Sequence, residues 1–138
     1  MKVFLDTNIL LDVLVVRDNK EFTENATTIL GLGSNRVLDL YMSVLSVTTI
    51  AYVLRNMTTV KKKGIIKDLV SIVKVLPSLP EHVENMLECQ MNDIEDAMQV
   101  QSAKEGQCDV IVTRNTTDFR DAGLPVISPE EFLKKIIM

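Results

Sequence analysis

The sequence predicts an α/β fold: one domain over residues 1–138, an α/β/α sandwich on a mostly parallel sheet of about four to five strands. Three observations predict it. Short apolar runs that read as strands alternate along the chain with longer stretches at helical spacing, which implies parallel strands with helices on both faces. No linker, repeat or low-complexity segment interrupts that alternation. The 138 residues, 46% hydrophobic and 25% charged, suit one compact core.

Lys2 to Leu5 is an apolar run that stops at Asp6-Thr7-Asn8, a buried strand ending in polar residues. Asn8 to Val16 has helical spacing with Asp12 on the polar side. Glu21 to Leu32 follows as a helix closed by Gly31 and Gly33. Arg36 to Ser43 alternates as a strand, and Ser46 to Met57 reads as a helix with a hydroxyl cap. Lys61 to Ile72 is amphipathic after a basic run, Val73 to Leu76 is a strand, and Pro77 and Pro80 break the chain. Glu81 to Cys89 is a helix that starts acidic, as the helix dipole favours. Asn92-Asp93 starts another helix that runs to about Glu105 and stops at Gly106. Asp109 to Thr113 is the clearest strand, and Val126-Ile127 is a short last one. Ser128-Pro129-Glu130-Glu131 opens a C-terminal helix with a hydroxyl cap and a proline in the first turn.

Composition excludes several functions. With no Trp and 4% aromatics, the chain lacks the stacking platforms common in single-strand binders. A formal net charge of -4 argues against a protein that coats nucleic acid, though not against an enzyme that gathers carboxylates around a metal. Two cysteines, Cys89 and Cys108, make no disulfide scaffold and read as buried thiols in a reducing compartment. The first residues turn charged too early for a signal peptide, and no apolar run reaches the roughly 18 residues of a membrane span. A cytoplasmic protein is expected. Gly31-Leu32-Gly33 lacks the context of a phosphate loop, and His82 reads as a surface residue.

In open parallel sheets, ligands sit beyond the carboxyl ends of the strands, where strand order reverses. Two apolar strands end there in polar clusters, Asp6-Thr7-Asn8 and Thr113-Arg114-Asn115 with Asp118. The clusters converge if those strands are neighbours. Four carboxylates stand out: Asp6, Asp93, Asp96 and Asp118. Hard cations such as Mg²⁺ and Mn²⁺ take oxygen ligands, and such an ion activates water and stabilises a phosphoryl transition state. Each acid also has a plainer reading. Asp93 suits a helix N-cap, Asp96 the third helical position, and Asp118 a turn. Asp6 is harder to explain without a partner, because a carboxylate at the end of an apolar strand is costly alone.

The ordered set Phe4-Leu5-Asp6-Thr7-Asn8, Asp93-Ile94-Glu95-Asp96-Ala97 and Ile111 through Phe119, closing with Pro125 through Leu133, resembles the PIN domain family. It is especially similar to the small single-domain members that include VapC-type toxins. The resemblance covers essentially the whole chain and implies a divalent-metal-dependent endoribonuclease, often the toxin of a toxin–antitoxin pair and often a homodimer. It implies an RNA substrate, an antitoxin partner and Mg²⁺ or Mn²⁺ as cofactor. It places the family's acids at Asp6, Asp96 and Asp118, with Thr7, Asn8, Thr113 and Asn115 as supporting residues.

There is one departure. Thr49 stands where many members carry a Glu, so either metal affinity is lower or Asp93 supplies the missing carboxylate. RNA-contact candidates are Arg114 and Arg120 beside the site and the basic run Lys61-Lys62-Lys63, each of which also suits a solvated surface. Two alternatives accompany this reading. One is a weakened PIN domain that binds RNA or a protein partner without cutting. The other is a phosphatase or receiver-type fold with Asp6 as nucleophile, disfavoured because Asn8 stands where a second acid is wanted.

Overall fold

Val3, Phe4 and Leu5 are wholly buried because β1 (Lys2–Leu5) lies in the middle of the sheet. The computed structural model describes residues 1–137. After β1 come α1 (Thr7–Leu14), α2 (Lys20–Ser34), β2 (Asp39–Ser43), α3 (Val44–Val53), α4 (Thr59–Val70) and β3 (Val73–Leu76). Then follow α5 (Pro80–Glu88), α6 (Ile94–Glu105), β4 (Val110–Val112), a 3-10 turn (Thr116–Phe119), β5 (Val126–Ile127) and α7 (Pro129–Ile137). All four strand pairings are parallel, in the order β3-β2-β1-β4-β5. The expected parallel sheet with helices on both faces is what the chain forms.

Strand alternation sorts the core into two layers. Val3, Leu5, Leu40, Met42, Val110 and Val112 face one way, onto Ile9, Ile29, Ile50, Leu69 and Phe132 from α1, α2, α3, α4 and α7. Phe4, Tyr41 and Ile111 face the other, onto Val100 and Ala103 of α6 and onto Phe119 of the 3-10 turn. Register places Leu5 beside Val112 and Phe4 beside Tyr41. The sheet builds outward from β1 through β2 to β3 on one side and through β4 to β5 on the other. The reversal of strand order therefore falls between β1 and β4, and the two polar clusters do converge there.

Several boundaries differ from expectation for local reasons. α2 runs through Gly31 and Gly33 to Ser34, so the glycines do not stop it. A Cβ on Gly33 would lie 2.3 Å from Leu40 Cδ1, so this glycine lets the helix approach β2 closely. The reversal is made by Arg36, whose φ of 61° is left-handed, and the strand then starts at Asp39 instead of Arg36. α3 is capped by Ser43, not Ser46, and ends at Val53. Gly106 caps α6 with an ordinary φ. The left-handed residue is Gln107, and a Cβ on Gly106 would meet Leu76 Cδ1 at 2.6 Å. Cys108 is buried as expected, whereas Cys89 is only partly so.

Candidate active site

Asp6 ends β1 and N-caps α1. Its Oδ1 accepts the Thr7 backbone N–H at 2.8 Å, and its Oδ2 accepts the Thr113 hydroxyl at 2.7 Å from the end of β4. The side chain is buried, yet its hydrogen-bond partners are neutral. Burial raises its pKa above the usual carboxylate value, while bonds from Thr113 and Thr7, the nearby Gln99 amide and the charge of Arg114 pull the other way.

Asp96 stands in the first turn of α6, whose N-cap is Asp93; the Asp93 Oδ1 accepts the Asp96 N–H at 2.9 Å. The capping reading of Asp93 is thus correct, and the same residue also faces the site. Partial burial, then the charges of Asp6, Asp93, Asp118 and Glu95, push the Asp96 carboxyl up to about 7. Four acids acting on a fifth define an electronegative pocket. Among the described residues no Lys, Arg or His lies within ion-pair distance of any of the five.

Asp6, Thr7, Asn8, Thr49, Asp93, Glu95, Asp96 and Asn115 line one cleft of about 220 Å³. Thr49 comes from α3. Asp118 does not line this cleft. It faces an adjoining hollow of about 190 Å³ with Asp93, Thr117, Arg120 and Asp121, and Asp93 belongs to both. Phe119, wholly buried, anchors the turn that carries Asp118. Truncating an aromatic so placed costs about 3–5 kcal/mol.

The donor set suits a hard divalent cation. Every polar group presented to the cleft by Asp6, Asp93, Glu95, Asp96 and Thr49 is oxygen. The Asn8 Oδ1 is buried and has no hydrogen-bond partner, an orphaned acceptor that a cation or its water satisfies. A second cluster, Glu81, His82 and Glu105, brings ligand atoms within 4.8 Å of one another. His82 is buried there, contrary to its reading as a surface residue. Its Nδ1 accepts the Leu79 N–H at 3.0 Å, so the neutral ring carries its proton on Nε2, facing Glu105 at 3.4 Å. No ring lone pair is left for a metal, and the cluster reads as a cap joining α5 to α6.

Of the basic candidates, Arg114 is fixed in place. It donates from Nε to Asp12 Oδ2 at 2.8 Å and from its Nη2 to Oδ1 at 3.1 Å, with its guanidinium carbon 4.2 Å from the Phe22 ring centre. Arg17 donates to the same Asp12 at 2.9 Å. Asp12, expected on a polar face, is 1% exposed. Arg120 lies at the rim of the adjoining hollow. Lys61, Lys62 and Lys63 stand at the start of α4 and line neither hollow.

Asp12, Ser43, Ser46 and Gln99 escaped the sequence reading. The signal for each was a polar residue on a stripe otherwise committed to the core: Asp12 within Leu10-Leu11-Asp12-Val13-Leu14, Gln99 within Ala97 to Ala103.

The comparisons with known proteins bear on the family and the fold. The sequence profile of the PIN domain matches residues 2–117. Ribonuclease VapC1 of Aquifex aeolicus (strain VF5) is 31% identical over 140 residues, covering 97% of this chain and 94% of that protein. The fold is similar to that in the crystal structure of VapBC2 from Rickettsia felis bound to a DNA fragment from their promoter. The TM-score there is 0.69 at 15% identity, over 93% of this chain and 98% of that one. It is similar also to a chain of a toxin–antitoxin complex from Klebsiella pneumoniae, with a TM-score of 0.63 at 20% identity over 92% and 97%. With the profile spanning most of the chain and a relative of that identity along nearly all of it, the protein belongs to the PIN domain family.

Proposed function

We propose that this chain is a divalent-metal-dependent endoribonuclease and the toxin of a toxin–antitoxin pair. The observation that carries the reading is the meeting of Asp6 and Asp96 in one cleft at the strand-order reversal, with no ion pair to either among the described residues. The near full-length likeness to a protein named a ribonuclease supports RNA as the substrate. The likeness to chains solved in toxin–antitoxin complexes supports an antitoxin partner.

In this reading Asp6 and Asp96 hold Mg²⁺ or Mn²⁺, and Asp118 joins them directly or through water. Bound there, the cation supplies Lewis acidity at a phosphodiester and lowers the pKa of water. The chain's own groups do the rest. Thr113 and the Thr7 N–H fix the two oxygens of Asp6, leaving its remaining lone pairs for the cleft. Asn8 and Asn115 orient water, Thr49 contributes a hydroxyl without charge, and Asp93 adds a carboxylate near Asp96. Arg120, on the adjoining hollow, contacts the incoming phosphate backbone; Arg114, held by Asp12, contributes its charge, and Lys61, Lys62 and Lys63 are more distant contacts.

Among the described residues no helix is long and apolar enough to cross a membrane, which accords with a cytoplasmic site of action. Exposed Tyr52 on α3 and Leu87 on α5 accord with a homodimer, checked by sedimentation. The purified chain is expected to cleave single-stranded RNA with Mn²⁺, to stop with EDTA, and to lose cleavage in Asp6→Asn. Cleavage that survives both treatments sinks the proposal. A second reading, RNA or partner binding without cleavage, rests on Thr49. Mn²⁺ binding and RNA binding with no cleavage at any metal concentration would favour it.

A further inference from the structure

Gln99 lies beneath the cleft, 1% exposed, on the turn of α6 that follows Asp96. Its Nε2 donates to Thr7 Oγ1 at 2.8 Å and to Ser46 Oγ at 3.1 Å, and its Oε1 accepts the Ser43 hydroxyl. The Thr7 and Ser46 hydroxyls are hydrogen-bonded to each other at 2.7 Å, and the Ser46 N–H donates to Ser43 Oγ at 3.2 Å. One amide thus ties three helices together. Thr7 follows Asp6 at the start of α1, Ser46 stands one turn before Thr49 on α3, and Gln99 stands one turn after Asp96 on α6. The three helices that line the cleft meet at this node.

Resting on the reading of the cleft as a metal centre, we propose that Gln99 is a positioning residue that sets the separation of the Asp6 and Asp96 carboxylates. Filling space does not require an amide here. A Met side chain has similar length and fits an aliphatic core without the desolvation of a polar group, about 1–3 kcal/mol when unpaired. What the amide adds is direction. Apolar contacts let packed helices slide, whereas hydrogen bonds of 2.8 and 3.1 Å fix α6 against α1 and α3. A small divalent cation demands that precision, because its oxygen ligands must all lie near 2.0–2.1 Å.

Gln101 on the same helix supplies the control. It is also buried, but it accepts from the Asn85 amide at 3.2 Å on the α5 side and has no bond to the cleft elements. The test is Mn²⁺ affinity of the purified full chain by calorimetry, with melting temperature measured alongside. Gln99→Met is expected to weaken Mn²⁺ binding about 10–100-fold, the usual effect of losing an outer support of a metal ligand. Gln101→Met is expected to lower the melting temperature and leave the affinity unchanged. Ser46→Ala, which removes one acceptor with little change of volume, is expected to weaken binding several-fold and serves if Gln99→Met does not fold.

The proposal is overturned if Gln99→Met, or Ser46→Ala in its place, binds Mn²⁺ as the unmutated chain does, or if Gln101→Met weakens it equally. If the unmutated chain binds no more Mn²⁺ than Asp6→Asn does, the metal-centre reading falls first and takes this proposal with it.

Discussion

On the wall side, in α1 and at the end of β1, the acids have partners: Asp6 accepts Thr113 and the Thr7 N–H, and Asp12, outside the cleft lining, accepts Arg114 and Arg17. On the rim side, at the start of α6 and in the 3-10 turn of the adjoining hollow, Asp93, Glu95, Asp96 and Asp118 make no ion pair among the described residues. The wall spends its carboxylates on holding strand ends and a helix start together. The rim keeps its carboxylates unneutralised, and their mutual repulsion raises the pKa of Asp96. The difference is between acids tied down by donors from other elements and acids crowded together at one helix start, of which Asp93 also caps its own helix.

The largest break in that comparison is Asp6→Asn, which serves both sides. Cleavage of a short RNA is expected to fall by more than about a hundredfold, roughly 2.7 kcal/mol, beyond the effect of an outer support. Circular dichroism should show the fold intact. Next is Asp12→Ala, which touches the wall alone. Removing a buried acceptor of two guanidinium groups is expected to destabilise the fold by about 1–3 kcal/mol in urea unfolding. Both arginines are partly exposed and can turn to water, which keeps the loss at this level.

The rim answers to metal instead. Mn²⁺ at ten times its dissociation constant is expected to add about 1.4 kcal/mol of stability by mass action, reversed by EDTA and absent in Asp96→Asn. Without metal, the rim also sets the pH dependence. The folded-state pKa of Asp96, about 7, lies above its unfolded value near 3.8, so between these the native state binds more protons. Metal-free stability is therefore expected to fall as pH rises from about 4 through 7, and Asp96→Asn should flatten the slope of urea midpoint against pH. The smallest effect is expected from replacing Lys61, Lys62 and Lys63 by Gln. Stability should change by less than about 0.5 kcal/mol. Any loss of RNA affinity should fade as salt rises.

Much of this was legible in the residues. The strands of Lys2–Leu5 and Val73–Leu76 carried the expected bounds, because hydrophobic runs cut by polar or proline residues leave little choice. The places of Asp6 and Thr113 were legible because polar groups end apolar strands, and that of Asp96 because it follows a helix cap, Asp93, by three residues. Helix starts were less so. Ser43 and Ser46 are both good caps, and only the buried Gln99 decides that Ser46 spends its hydroxyl elsewhere. Gly33 misled because a close approach between elements looks in sequence like a stop. Asp12 and Gln99 were illegible for one reason: their partners lie 102 residues away at Arg114 and 92 residues away at Thr7.

The central strand is made before its β4 neighbour, 107 residues earlier in the chain: Val3 pairs with Val110. At about 5–20 residues per second, synthesis separates those two residues by on the order of 5–20 s. Through that interval Asp6 has emerged, but neither Thr113, which holds its oxygen, nor Arg114, which pins α1, exists. A chain broken off before β4 cannot complete the cleft, whatever it retains upstream. The cleft is therefore complete only once β4 and Asn115 after it have been made.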